Sequence, residues 1–108
     1  MGYIKHKAIT VTSWDSEKLE KVHTKAKSVC GDRVSEIIKS PVNGYISFIV
    51  CPDGSKEGWD SSEQGDKEDS ELVDFINEQA YEDGSNSISY IHYFYGEDNR
   101  NAGIINHN

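Results

Sequence analysis

The chain has few of the residues that stabilise extracellular domains or cross membranes. Its 108 residues include only two cysteines, two prolines and one methionine. Cys30 and Cys51 belong to no CxxC pair and have no histidine at metal-ligand spacing. No apolar run is long enough for a membrane helix, and the first residues lack the apolar region of a secretory signal. We therefore expect two reduced, buried thiols in a cytoplasmic protein.

Positive charge is also scarce. Eleven lysines and arginines stand against 19 aspartates and glutamates, giving a formal net charge of -8, which disfavours general nucleic-acid binding. The imbalance is uneven: residues 1–45 hold eight basic and five acidic residues, whereas residues 46–108 hold three and fourteen. Such polarity can steer other copies or an anionic ligand toward one side. Two ordinary solvated surfaces are the alternative.

Motifs that would identify an enzyme or a cofactor site are missing. There is no P-loop, GxGxxG or GxSxG, and none of the four histidines, His6, His23, His92 and His107, stands at a recognisable spacing from a partner. We therefore predict a protein that is not an enzyme and has no cofactor or bound metal.

One acidic loop, residues 53–65, shares part of the spacing of a calcium-binding EF-hand loop. Oxygen-bearing side chains and a glycine occupy its expected positions 1, 3, 5 and 6, but Gln64 replaces the closing glutamate and a strand precedes the loop. The expectation is a solvated loop, and calcium binding stays open. Trp59 is unusual in so polar a segment, because an indole normally packs or stacks against something.

Hydrophobic periodicity predicts six elements in the order βαββαβ. Strands are expected at residues 3–13, 33–39, 45–51 and 87–95, with an Asn-Gly turn between the second and third. A first helix begins at the N-cap Asp15 and ends at Gly31. A second helix covers residues 66–80.

This order predicts an α+β fold of the ferredoxin-like class, a four-stranded antiparallel sheet with both helices on one face. The predicted domain spans residues 1–96, and residues 97–108 form a loosely ordered tail. The alternating strands place tyrosines and isoleucines on the open face as well. Because large exposed apolar patches are rare in monomers, we expect that face to mediate homo-oligomerisation; a ligand platform and coverage by the tail are the alternatives.

Four segments resemble small early or accessory proteins of tailed phages that infect Gram-positive bacteria. They are GYIKHKAITVTSWD, VSEIIKSPVNGYISF, PDGSKEGW and AYEDGS, and together they span most of the chain up to Ser85. The resemblance carries no known catalytic residues. It implies a protein of the host cytoplasm that acts by binding.

Among phage proteins that act by binding, the anti-CBASS sponges, which sequester cyclic nucleotides between subunits, are similar in size and style. By that analogy the leading hypothesis is a non-enzymatic, oligomeric counter-defence protein that sequesters a host second messenger of the cyclic dinucleotide type. Aromatic rings can stack on bases, and lysines can contact phosphates. The predicted binding residues are Trp14, Asn43, Tyr45, Lys56, Trp59 and Tyr81. The alternative is an acidic, protein-mimicking inhibitor of a host protein.

Overall fold

A computed structural model describes residues 5–52, 54, 60–96 and 102–108. The described chain is α+β, as predicted, with two α-helices and one antiparallel sheet. Its elements are β1 (Lys5–Ser13), α1 (Ser16–Cys30), a 3-10 turn (Gly31–Arg33), β2 (Ile38–Lys39), β3 (Ile46–Val50), α2 (Asp60–Glu78), β4 (Ile88–Gly96) and β5 (Ala102–His107).

The sheet has five strands in the order β2-β3-β1-β4-β5, and every neighbouring pair is antiparallel. The prediction of four strands is therefore wrong in number. The additional strand, β5, comes from the segment that we expected to be a loose tail. It is held at its end by Asn108, whose side chain accepts from Tyr90 N at 3.0 Å and donates to Ile88 O at 2.6 Å, extending the β4 edge.

The core lies between the two helices and one face of the sheet. Alternate strand residues, among them Ile9, Phe48 and Ile88, are buried together with Leu19 of α1 and Ile76 of α2. Both helices thus cover the same face. The apolar stripe predicted for α1 is buried at Leu19, Val22, Ala26 and Cys30.

The start of α1 follows the prediction in detail. Asp15 is the N-cap, and its Oδ1 accepts a hydrogen bond from Lys18 N at 3.2 Å. At the other end Gly31 takes a φ of 61°, the left-handed region that glycine enters without steric cost.

The strand predicted at residues 33–39 is largely irregular, because only Ile38 and Lys39 form regular ladder pairs. Ser35 interrupts it. The Ser35 hydroxyl accepts from Ile49 N at 2.9 Å, where a regular ladder would use a backbone carbonyl. The Ser35 carbonyl is instead 2.8 Å from Nε2 of His23 on α1. Short polar side chains compete with ladder hydrogen bonds in this way.

Two further expectations need correction. Helix α2 begins at Asp60 rather than at residue 66, so residues 60–65, assigned to the loop, are helical. Cys51 is exposed, whereas Cys30 is buried as expected, and both thiols are free. Neither helix, within the residues described, is long and apolar enough to span a membrane.

Candidate ligand-binding surface

Two of the predicted binding residues lie at the same end of the sheet, each next to the last pair of the β1–β3 ladder. Ser13, the last residue of β1, pairs with Ile46, the first residue of β3. Trp14 follows Ser13 and Tyr45 precedes Ile46, so both aromatic residues lie just outside this pair, at the same end of the sheet. Trp14 is 59% exposed and Tyr45 is 45% exposed. Both offer ring surface to a ligand.

Tyr81 reaches the same end of the sheet from the connection between α2 and β4. It is 46% exposed, and Lys18 Nζ lies 3.9 Å from the centroid of its ring. The same ammonium donates to Gln79 O at 3.3 Å. Lys18 lies in the first turn of α1 and therefore holds Tyr81 against that turn. Its positive charge stays beside the ring.

We call Trp14, Tyr45 and Tyr81 the terminal aromatic surface. Two lysines lie at this end of the sheet: Lys18, beside Tyr81, and the exposed Lys39, which pairs with Ile46 in the β2–β3 ladder. The combination of rings with nearby ammonium groups is the chemistry that bases and phosphates require.

Asn43 belongs to the turn that presents Tyr45. Its Oδ1 accepts from Tyr45 N at 2.9 Å, and Ser40 Oγ accepts from the backbone N–H groups of Val42 and Asn43. The side-chain oxygen is thus used in shaping the turn, and the predicted ligand contact of Asn43 stays a prediction. Lys56 and Trp59, the other two predicted residues, lie outside the described residues, as do positions 1, 3, 5 and 6 of the calcium-like loop.

The open face of the sheet is less apolar than the sequence pattern suggests. Its middle carries hydroxyl pairs: Thr12 and Ser47 oxygens are 2.9 Å apart, and Thr10 and Tyr93 oxygens are 3.3 Å apart. Apolar exposure is greatest toward the two edges of the sheet, where Ile38 is 63% exposed and Ile104 60% exposed.

A buried polar cluster that the sequence analysis missed lies between α1, α2 and β4. Arg33 Nη2 donates to Glu68 Oε1 at 3.0 Å and to Asp69 Oδ1 at 3.1 Å, while Nη1 donates to Cys51 O at 3.2 Å. The Asp69 side chain is only 3% exposed. On its other side, Oδ2 lies 3.5 Å from His92 Nε2.

Burial and the neighbouring carboxylates shift the pKa of Arg33 in opposite directions. Burial disfavours the charged guanidinium, but the carboxylates of Asp69 and Glu68 outweigh it and raise the pKa of Arg33 above its ordinary value. Burial raises the pKa of the nearby Cys30 thiol to about 11, with Arg33 opposing the shift. Cys30 is therefore a protonated, poorly nucleophilic thiol at neutral pH.

A signal for this cluster was present in the sequence. Asp69 stands three residues before Leu72 and seven before Ile76, so it occupies the buried stripe of α2. A carboxylate at a core position demands a partner. That the partner would be Arg33, 36 residues away, could not be read from spacing.

Within the residues described, no group of three side chains is placed to hold a metal ion. No protein-family model, no curated protein and no solved structure matches this chain.

Proposed function

We propose that this protein is a non-enzymatic binding protein whose terminal aromatic surface takes a small phosphorylated nucleotide. The observation that carries the proposal is that Trp14 and Tyr45 are both exposed at one end of the sheet, where β1 ends and β3 begins. Large exposed rings can stack on bases, and stacking a base on one contributes about 1–3 kcal/mol.

The ligand class follows from charge. The chain is acidic overall, but Lys18 and Lys39 place ammonium groups at this end of the sheet. A compact dianion such as a cyclic dinucleotide needs only a few such contacts. The resemblance to phage early proteins supports a role in the host cytoplasm, where sequestering a second messenger would counter a defence response.

The proposal includes a homo-oligomer formed through the open face of the sheet. Exposed Ile38 and Ile104 at the two edges support it, because a small domain gains stability by covering such residues. Light scattering coupled to size-exclusion chromatography tests this part. A monomer at micromolar concentration, with and without nucleotide, would contradict it.

We further propose that the fold is a ferredoxin-like split βαβ to which β5 has been added. With β5 set aside, the strand order is β2-β3-β1-β4 and the helices lie on one face, and this supports the assignment. An experimental structure that placed β3 elsewhere than between β1 and β2 would overturn it.

Nucleotide binding is tested with a panel of cyclic di- and trinucleotides. A tight ligand should raise the melting temperature by several degrees, since binding to the folded state alone stabilises it. Titration calorimetry then compares Trp14→Leu with Trp14→Phe. We expect leucine to weaken binding on the order of tenfold to a hundredfold and phenylalanine, which keeps a ring, to weaken it less. No melting shift with any nucleotide would refute the proposal.

A second function is favoured by the surface of α2. Five carboxylates of this helix are exposed and form no ion pair with another described residue, and its last turn has no basic residue. They are Asp60, Glu63, Glu71, Asp74 and Glu78. This is the surface that an acidic mimic would offer to a basic site on a host protein.

The mimic is distinguished by its salt dependence and by variants. Capture of a host protein from lysate should fall as ionic strength rises and should be lost in Asp60→Asn/Asp74→Asn/Glu78→Gln. Asp69 and Asp66 are unsuitable for this test, because Asp69 is buried and Asp66 pairs with Lys7 at 2.7 Å. Capture that survives both high salt and the triple substitution would exclude the mimic.

A further inference from the structure

The turn between β2 and β3 contains the only Asn-Gly pair of the sequence, Asn43 and Gly44. Both residues are exposed. A hydrogen bond from Ser40 N to Tyr45 O, 2.9 Å long, closes the base of the turn, so the pair lies beyond that bond, toward the tip. Glycine has no Cβ to hinder its own nitrogen. An asparagine side chain that precedes a glycine is therefore open to attack by the main chain.

The side chain of Asn43 is folded toward the residues that follow it. Its Oδ1 accepts a hydrogen bond from Tyr45 N at 2.9 Å, which makes an Asx-turn. The ring closed by this bond contains the nitrogen of Gly44, so the side-chain carbonyl carbon, Cγ, is held on the side of that nitrogen. The bond also stabilises the negative charge that develops on Oδ1 when a nucleophile adds to Cγ.

The nitrogen of Gly44 is available for this attack. No described residue accepts a hydrogen bond from its N–H group, and a Cβ added at Gly44 would meet no heavy atom within 4 Å. Asp83 and Gly84 provide a contrast. Asp83 Oδ1 accepts from Ser85 N at 2.9 Å in the same manner, but Gly84 donates its own N–H to Tyr81 O at 2.9 Å. That bond must break before Gly84 can lose its amide proton.

We propose that Asn43 is a site of spontaneous, time-dependent conversion to aspartate and isoaspartate. Hydroxide removes the proton of Gly44 N, and this nitrogen forms a bond to Asn43 Cγ. The bond from Cγ to Nδ2 breaks, and Nδ2 takes a proton from water and leaves as ammonia. Water then opens the resulting cyclic imide at either of its two carbonyl groups, which gives aspartate or isoaspartate.

The conversion changes the turn that presents Tyr45. Both products add one negative charge. Isoaspartate also adds a methylene group to the main chain between residues 43 and 44 and removes the Asx hydrogen bond, because Cγ becomes part of the main chain. Tyr45 belongs to the terminal aromatic surface, so this surface changes as the protein ages. The chemistry itself requires no nucleotide.

Asn86 is the matched internal control. Its Oδ1 accepts from Ile88 N at 3.0 Å, the same Asx arrangement, but its Nδ2 donates to Ile76 O at 2.8 Å. The group that would leave as ammonia is thus held in place. The residue that follows is Ser87, whose side chain hinders the approach of its own nitrogen.

The experiment follows the full chain during incubation at mildly alkaline pH, both folded in buffer and unfolded in guanidinium chloride. Mass spectrometry of proteolytic fragments gives the fraction converted at each asparagine, and electron-transfer fragmentation separates isoaspartate from aspartate. We expect the rate at Asn43 in the folded protein to lie within about tenfold of the rate in the unfolded chain. Asn86 should convert measurably only in the unfolded chain.

Two variants test the mechanism. Gly44→Ala fits the open space of the turn and should slow the conversion of Asn43 by at least about tenfold, since the added Cβ hinders the attacking nitrogen. Asn43→Asp gives the spectrum of one product. In the aged, unaltered protein a second ¹⁵N amide resonance of Tyr45 should appear, at a position that Asn43→Asp does not reproduce, and it reports the isoaspartate form.

Three results would overturn the proposal. The first is that Asn43 keeps its amide in the folded protein while the unfolded chain converts it, because the turn would then be protective. The second is that Gly44→Ala converts as fast as the unaltered protein, which would exclude attack by the main-chain nitrogen. The third is that Asn43 and Asn86 convert at equal rates in the folded protein. Failure of cyclic nucleotides to bind leaves all three measurements unaffected, so this proposal and the proposed function fail separately.

Discussion

Replacing Arg33 with methionine would leave the carboxylate of Asp69 buried without its cation. The guanidinium makes hydrogen bonds of 3.0 and 3.1 Å to Glu68 and Asp69, and the Asp69 side chain is 3% exposed. Methionine keeps much of the length and volume of arginine, so the substitution removes charge and hydrogen bonds more than packing.

Removing one partner of a buried ion pair costs about 3–5 kcal/mol, because the other charge stays desolvated and uncompensated. Lys27→Met is the matched control. Its ion pair with Glu36 has a similar length, 3.0 Å, but the two side chains are 45% and 86% exposed. Exposed pairs contribute about 0–1 kcal/mol. We therefore expect a difference of at least about 2 kcal/mol between the two variants.

Urea unfolding, followed by circular dichroism, gives the free energy of unfolding of each variant. The double variant Arg33→Met/Asp69→Asn should recover part of the loss, since an uncharged amide tolerates burial better than a carboxylate. A loss for Arg33→Met no larger than that for Lys27→Met would refute the reasoning. Equal stability of the single and double variants would show that the Asp69 charge is not the cause.

Three other perturbations follow from the structure. Asp15→Ala should lower the free energy of unfolding by about 1 kcal/mol in urea titrations, because α1 loses its N-cap; an unchanged midpoint would contradict the cap. The pKa of the Cys30 thiol is raised from 9.0 to about 11, so its contribution is complete below pH 9 and is lost as pH rises through 11. The stability of the unaltered protein relative to Cys30→Ala should fall by about 2–3 kcal/mol over that range, and a difference that stays constant from pH 9 to 11 would contradict the shift. Gly103→Val should destabilise β5, since a Cβ at Gly103 would lie 3.0 Å from the Phe94 ring; hydrogen exchange of the β5 amides should accelerate, and unchanged exchange would count against the packing.

Local signals predicted the parts of the fold that depend on neighbouring residues. The first helix follows from a capping aspartate, an apolar stripe and a closing glycine, all within 17 residues. Strand β5 was missed because AGIINH lacks the alternation of a half-buried strand, and five of its six residues are exposed. It is held instead by its ladder with β4 and by Asn108, whose side chain bonds to the β4 backbone.

The candidate sites also differ in how much of their geometry the sequence predicts. Trp14 and Tyr45 share one end of the sheet because β1 ends where its antiparallel partner β3 begins, and sequence patterns predicted the end of β1 and, within one residue, the start of β3. The cluster of Arg33, Asp69 and His92 joins three elements whose relative placement is fixed by helix packing. Residue spacing carries no information about such contacts, so only the structure could reveal which residues the buried carboxylate of Asp69 lies against.

The central claim, that the terminal aromatic surface binds a phosphorylated nucleotide, is tested most directly by the indole N–H resonance of Trp14. Trp14→Phe identifies that resonance in a spectrum with two tryptophans, and cyclic di- and trinucleotides are then added to the unaltered protein. We expect at least one of them to shift the Trp14 indole and the Tyr45 amide together, while the amide of Ser70, in the middle of α2, stays in place. A Trp14 resonance that none of the nucleotides moves would contradict it.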